Sequence, residues 1–227
     1  MTHHNLTAVH RAADGTLWLG SFGGGLFRFD GYAFQRLTTR DGLVSNFIND
    51  LYEDDEGALW IATSEGLVRL DDGGSTAFST ADGLPDNAII TLYRDGEGLM
   101  WIGTNTGLAR YDGAGFASLT REDGLSGEAV RSIHRDADGT LWIGSNSLSR
   151  IDASTWRPQS GADALHIANF PALGAVSDIH RDRGGACGGA AGISGQGRAG
   201  EHPARVGLRE EPAIGLAGAR PDLEAAI

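Results

Sequence analysis

The stretch Asp95-Gly96-Glu97-Gly98-Leu99-Met100-Trp101-Ile102-Gly103-Thr104 decides the fold, because the chain writes it four times. It stands also as Gly15-Thr16-Leu17-Trp18-Leu19-Gly20-Ser21, Gly57-Ala58-Leu59-Trp60-Ile61-Ala62-Thr63 and Gly139-Thr140-Leu141-Trp142-Ile143-Gly144-Ser145. The tryptophans are 42, 41 and 41 residues apart. Two further markers keep that beat. One is Asp-Gly-Leu, at Asp41-Gly42-Leu43, Asp82-Gly83-Leu84 and Asp123-Gly124-Leu125. The other is Arg-x-Asp, at Arg28/Asp30, Arg69/Asp71, Arg110/Asp112 and Arg150/Asp152. A shared period near 40 residues identifies a repeat protein whose units stack.

Each unit divides into four short runs. In the third they are Ala88–Tyr93, Leu99–Gly103, Leu108–Tyr111 and Phe116–Leu119, joined by turns such as Asp95-Gly96-Glu97-Gly98 and Asn105-Thr106-Gly107. Runs of this length between Gly/Asp turns are antiparallel strands. The first, hydrophobic run suits a crowded inner strand, and each Trp offers a large apolar ring to the seam between neighbouring units. Gly15, Gly57, Gly98 and Gly139 provide the positive φ of a tight hairpin, and Gly25, Gly66 and Gly107 do the same before the third strand.

The expected fold is all-β: a β-propeller of four complete four-stranded blades plus the start of a fifth, followed by a poorly ordered tail. The blades are expected at about 5–40, 47–81, 88–122 and 129–160, with an incomplete fifth at 175–182, so that residues 1–182 form a partial propeller. The fifth opens with Ala175–Asp182, which matches Val130–Asp136, but Gly184-Gly185-Ala186-Cys187-Gly188-Gly189 stands where Leu-Trp-Ile-Gly-Thr is due. No aromatic residue follows Arg183. Residues 183–227, rich in Gly, Ala, Arg and Pro, lack the apolar surface that offsets ordering entropy. They are expected to be disordered or the product of a frameshift near residue 183. The open edges of an unclosed ring lead us to expect self-association.

Composition narrows the function. Thirty acidic against eighteen basic residues, all of the latter arginine, give a net charge of −12, which argues against a nucleic-acid partner. Cys187 is the one cysteine, so there is no disulfide framework and no Cys-based metal site. No run approaches the ~20 apolar residues of a membrane span. No signal peptide precedes the first repeat, so the chain as written reads as cytoplasmic.

The motif Asp-x-x-Gly-x-Leu-Trp-Ile-Gly-Thr, followed by Gly-Leu-x-Arg and Asp-Gly-Leu, resembles the two-component regulator propeller repeat. The resemblance runs over about residues 5–182. It implies a periplasmic ligand-sensing domain of a bacterial receptor. The intact relative would be joined to a membrane helix and a kinase or cyclase output, and its ligand would be a small molecule or glycan. The chain departs from that pattern in blade number and in having no export signal, membrane helix or output module.

The residues offer little catalytic chemistry. His10, His134 and His180 fall eight residues before a Trp position or its equivalent, where Tyr52 and Tyr93 stand in other blades. A place that takes His or Tyr is a packing position with a polar tip, not a metal ligand. The turns Asp54-Asp55-Glu56-Gly57 and Asp136-Ala137-Asp138-Gly139 resemble pieces of calcium loops but lack the distal Glu, and turn chemistry accounts for them. Gly23-Gly24-Gly25 opens no helix and so reads against a nucleotide loop. We expect no enzyme, no cofactor, no catalytic residues and no metal site. Asn46, Asn87 and Glu128, with Ser64, Asn105 and Asn146, mark the loop face on which a hydroxyl-rich ligand would sit. They also suit turn closure, so the ligand-binding residues stay unassigned. Alternative readings are a propeller scaffold for protein–protein interaction and a propeller lyase.

Overall fold

The computed structural model describes residues 5–152, 156, 166–170, 175–181, 187–191 and 204–207. The first sheet holds β1 (Leu6–Arg11), β2 (Leu17–Ser21), β3 (Gly25–Phe29) and β4 (Phe34–Leu37) in sequence order. The second holds β5 (Ile48–Glu53), β6 (Leu59–Thr63), β7 (Gly66–Asp71) and β8 (Gly74–Phe78). The third holds β9 (Ile89–Arg94), β10 (Met100–Thr104), β11 (Gly107–Tyr111) and β12 (Phe116–Thr120). The fourth holds β13 (Ser132–Arg135), β14 (Thr140–Gly144), β15 (Leu148–Asp152) and β16 (Ile167–Phe170). A fifth, of three strands, holds β17 (Val176–Arg181), β18 (Cys187–Ala191) and β19 (Ala204–Gly207). Every pairing is antiparallel, and the inner strands β1, β5, β9, β13 and β17 pack in succession. These are the blades of a propeller.

Each sequence marker has a physical task. In Asp-Gly-Leu, the Asp41, Asp82 and Asp123 carboxylates accept the backbone N–H and side-chain hydroxyl of Thr38, Ser79 and Thr120, closing the crossing to the next blade. Gly42, Gly83 and Gly124 follow at φ +106°, where a side chain would be strained. Leu43, Leu84 and Leu125 are then buried between sheets. In Arg-x-Asp, Arg28, Arg69 and Arg150 lie 5.6–5.9 Å over Trp18, Trp60 and Trp142. Asp30 and Asp112 each accept two backbone N–H groups of the following turn. Gly107 serves differently from expectation. Its φ lies outside the left-handed region, and a Cβ there would stand 2.4 Å from the Leu119 carbonyl oxygen, so close approach demands the glycine.

Two boundaries differ from the sequence reading. The fourth blade does not close at residue 160, because its outer strand is β16, at Ile167–Phe170. The intervening Trp156, 4% exposed, is drawn into the third seam against Trp101, and its carbonyl accepts from Arg110. The fifth sheet does not stop at residue 182 either, since β18 and β19 lie inside the stretch expected to be a tail. Gly188 pairs with His180, as Trp142 does with His134, so glycine holds the tryptophan register. The rest of 183–227 lies outside the described residues.

The core is a series of seams. The second seam buries Trp60, Leu67, Ile89, Met100 and Ile102; the third buries Trp101, Leu108, Leu119, Val130 and Leu141. A fully buried apolar side chain contributes about 1.5–3 kcal/mol, so each seam is a large part of the stability. The face of the first sheet turned away from the second is different. Val9 and Phe34 on it are 64% exposed, whereas Leu51 and Val68, on the matching face of the second sheet, are buried. No helix among the described residues is long and apolar enough to cross a membrane.

Candidate functional site

The loop face holds the crossings and the loops between second and third strands. There the structure spends the amides that a ligand would have used. Asn46 Oδ1 accepts from Thr39 N at 3.0 Å, and Asn87 Oδ1 from Thr80 N at 2.9 Å, the same closure in successive crossings. The Asn46 carbonyl accepts from Gly23 N and Gly25 N. Ser64 Oγ meets Asn49 Nδ2 at 3.5 Å. Glu128 faces Arg121 at 3.8 Å on open surface, and Asn105 and Asn146 are exposed. Of the six, Asn46 and Asn87 each give their Oδ1 to closing a crossing.

The opposite face carries the acidic hairpins, and here the carboxylates are built in. Asp54 Oδ2 accepts the Trp60 indole N–H at 2.9 Å, Asp95 Oδ2 that of Trp101 at 2.8 Å, and Asp136 Oδ2 that of Trp142 at 2.8 Å. The other oxygen of Asp54 and of Asp95 accepts two backbone N–H groups of the turn. Arginines of the next inner strand complete the clamp. Arg135 holds Asp95 and Glu97, both at 2.8 Å, and Arg94 holds Asp55 at 3.0 Å. Among the described residues, no group of three His, Cys, Asp or Glu side chains is arranged to hold a metal ion.

The inner-strand positions behave as packing sites with polar tips. Tyr93 OH accepts from Arg135 N at 3.2 Å. His10 Nε2 lies 3.1 Å from Glu53, and His134 Nε2 lies 3.5 Å from Asp136. Burial pushes the Tyr52 hydroxyl pKa up. The His180 side chain lies outside the described residues. Asp50, on β5, was not singled out by the sequence. Burial raises its pKa, although its carboxylate accepts from Leu92 N at 2.8 Å and Thr91 Oγ1 at 3.2 Å on the next blade.

A space that could admit a ligand lies in the first seam. A cleft of about 1090 Å³ opens in the outer half of the first seam, lined among others by Ala12, Trp18, Arg28, Leu37, Arg69 and Leu70. The register explains it. Around the Trp60 ring, the second seam packs Phe78 from one blade against Tyr111 and Phe116 from the next, with ring centroids 4.9–5.9 Å apart. The matching positions in the first seam are Leu37, Leu70 and Ser75. Three aromatic rings are thus replaced by two aliphatic side chains and a hydroxyl, and Trp18 is left half-buried. The replacements are written in the sequence, but they become visible only when each outer strand is aligned with that of the next repeat.

Stacked four-stranded blades with Trp-centred seams define a β-propeller repeat protein. Residues 42–65, 83–106 and 124–147 match the two component regulator propeller family, and the chain carries that family's repeats. Among solved structures, the chain is similar to the extracellular domain of BT3049 from B. thetaiotaomicron, described as a hybrid two component system. That match has 21% identity and a TM-score of 0.69, and covers 82% of this chain and 26% of that one. It is also similar to virginiamycin B lyase from Staphylococcus aureus, at 16% identity and TM-score 0.58, over 81% of this chain and 62% of that one. A gluconolactonase from Xanthomonas campestris matches at 17% identity and TM-score 0.53, over 79% and 67%. At these identities the likeness is one of fold. No curated protein sequence matches.

Proposed function

We propose that this chain is the ligand-sensing propeller part of a bacterial signal-transduction receptor, and that it works by binding rather than by turnover. The observation that carries the reading is the regulator-family repeat in the second, third and fourth blades, in register with the first. Its support from the fold is the likeness to an extracellular sensor domain. In this reading the propeller faces the periplasm. The chain spans 26% of the BT3049 domain, and the intact receptor joins such a propeller to a membrane helix and a kinase or cyclase. The ligand is a small molecule or glycan fragment.

Two enzymes share the fold, so binding and turnover are tested together. The purified chain is screened by thermal shift against neutral and acidic mono- and oligosaccharides, and each mixture is then analysed for product by mass spectrometry. A saturable rise in Tm with one chemical class and an unchanged ligand supports sensing. Conversion of a ligand would move the enzyme reading ahead. A flat response across the panel would sink the sensing reading for this chain.

A further inference from the structure

Three of the four complete sheets pair an Asp in the first hairpin with the indole N–H of the Trp six residues later; Arg69 and Arg135 ion-pair with Asp54 and Asp95, and Arg150 lies over the Trp142 ring. In the first sheet the Asp is gone. Ala12 stands at its place and keeps only its backbone part, with Ala12 N donating to Thr16 O at 2.8 Å, as Asp54 N donates to Ala58 O at 2.9 Å. The two donors remain. Among the described residues, the Trp18 indole N–H has no hydrogen-bond partner. Arg28, 5.8 Å over the Trp18 ring, has no carboxylate within ion-pair distance among the described residues, and its charge reaches Asp14 and Asp30 only at longer range. Its counterpart Arg69 has Asp54, Glu56 and Asp71. Ala12, Trp18 and Arg28 all line the cleft, so the vacated carboxylate position opens onto a space large enough for a small molecule.

We propose that this cleft binds a hydroxylated carboxylate, a sugar acid in its simplest form, whose carboxylate takes the position that Asp54, Asp95 and Asp136 hold in the other sheets. Trp18 Nε1 and the Arg28 guanidinium donate to it as charge-assisted hydrogen bonds. The rest of the wall fixes the remainder of the ligand. Six carboxylates line the cleft with Arg28, Arg36 and Arg69. Asp14 is bonded by Thr16, Asp41 by Thr38, Glu53 by the Ala13 N–H beside the vacated position and by His10, and Glu56 and Asp71 by Arg69; Asp72 completes the set. Their remaining lone pairs accept from hydroxyl groups, and their charge repels a second anion. A ligand with one carboxylate and several hydroxyls satisfies both ends; a dianion or an apolar acid does not. The site stands on its own geometry and does not depend on the sensing reading.

The test titrates the full chain with D-glucuronate by calorimetry, with D-glucose as the uncharged control. Glucuronate is expected to saturate, and glucose to bind about tenfold more weakly or worse, the factor that corresponds to ~1.4 kcal/mol. Arg28→Gln is expected to weaken glucuronate by about tenfold while leaving glucose unchanged. Ala12→Asp places an internal carboxylate in reach of Trp18 Nε1 and Arg28, so it is expected to abolish glucuronate binding. An unchanged circular dichroism spectrum and a cooperative melt show that this variant folds, which separates competition from damage. Equal affinity for the two sugars, an absence of saturation, or undiminished binding to Ala12→Asp would each overturn the site. A failure here with a positive saccharide screen removes this site alone and leaves sensing in place.

Discussion

Trp60 and Trp18 occupy the same register on neighbouring sheets, each with an arginine over its ring, yet Trp60 is 3% exposed and Trp18 is half-buried. The backbone is the same in both seams, with the same hairpin pairing and the same inner-strand bulge. What differs is the outer half, where Phe78, Tyr111 and Phe116 close the second seam and Leu37, Leu70 and Ser75 leave the first ajar. A repeat backbone therefore sets where two sheets meet, while a few outer side chains decide whether the meeting is a core or a cleft.

The largest effect that can break this comparison comes from the rings themselves. Trp101→Ala, at a fully buried position, is expected to cost about 3–5 kcal/mol in chemical denaturation. Trp18→Ala should cost less than half of that. Equal losses would mean that the open seam carries as much packing as the closed ones. The next effect exchanges the outer residues. Phe78→Leu should destabilise by about 1–2 kcal/mol and admit an apolar dye, while Leu37→Phe should fill part of the cleft and raise stability by about 0.5–1 kcal/mol. A loss on Leu37→Phe would show that the first seam has no room for the ring.

The smallest effect is electrostatic and depends on pH. Burial raises the Asp50 pKa above its unfolded value, so the folded chain holds this proton more tightly and ionisation of Asp50 costs stability as pH rises through the carboxylate range. Asp50→Asn is expected to gain stability at pH 7, and the gain should vanish as the pH falls below about 4, the unperturbed carboxylate range. Thermal melts of both proteins from pH 3 to 8 measure the crossing. Asp14 and Asp41 have the opposite sign. Hydrogen bonds from Thr16 and Thr38 lower their pKa values, so their contribution is present at neutral pH and is lost on acidification.

Much of the fold was legible because the repeated residues answer to the backbone. Gly42 and Gly83 at φ +106°, Asp41 and Asp82 capping the crossings, and the Trp–Asp pairs act within a few residues of themselves, and local geometry leaves a local pattern. The outer strand of the fourth blade was not legible, because Trp156 is claimed by Trp101 of the preceding blade, a long-range contact that no local motif announces. The loop-face amides were misleading for the opposite reason. Asn46 and Asn87 are the residues a ligand would want and also those that close a crossing, and only the Thr39 and Thr80 distances separate the two uses. The cleft is encoded in Leu37, Leu70 and Ser75, which differ from their counterparts without breaking any marker.

The clamps on the hairpin face also do something that stability alone does not require. At the second and third seams the incoming inner strand brings Arg94 or Arg135 to an acidic turn; at the first it brings Glu53 to His10 and the Ala13 N–H. If the second blade docked where the fourth belongs, Glu53 would meet Asp95 and Glu97. If the third docked on the first, Arg94 would find alanine. Near-identical units joined in one chain can pair out of order, within a molecule or between two. The reversed charge at the first seam gives each blade an address, so that the order along the chain is also the order around the axis.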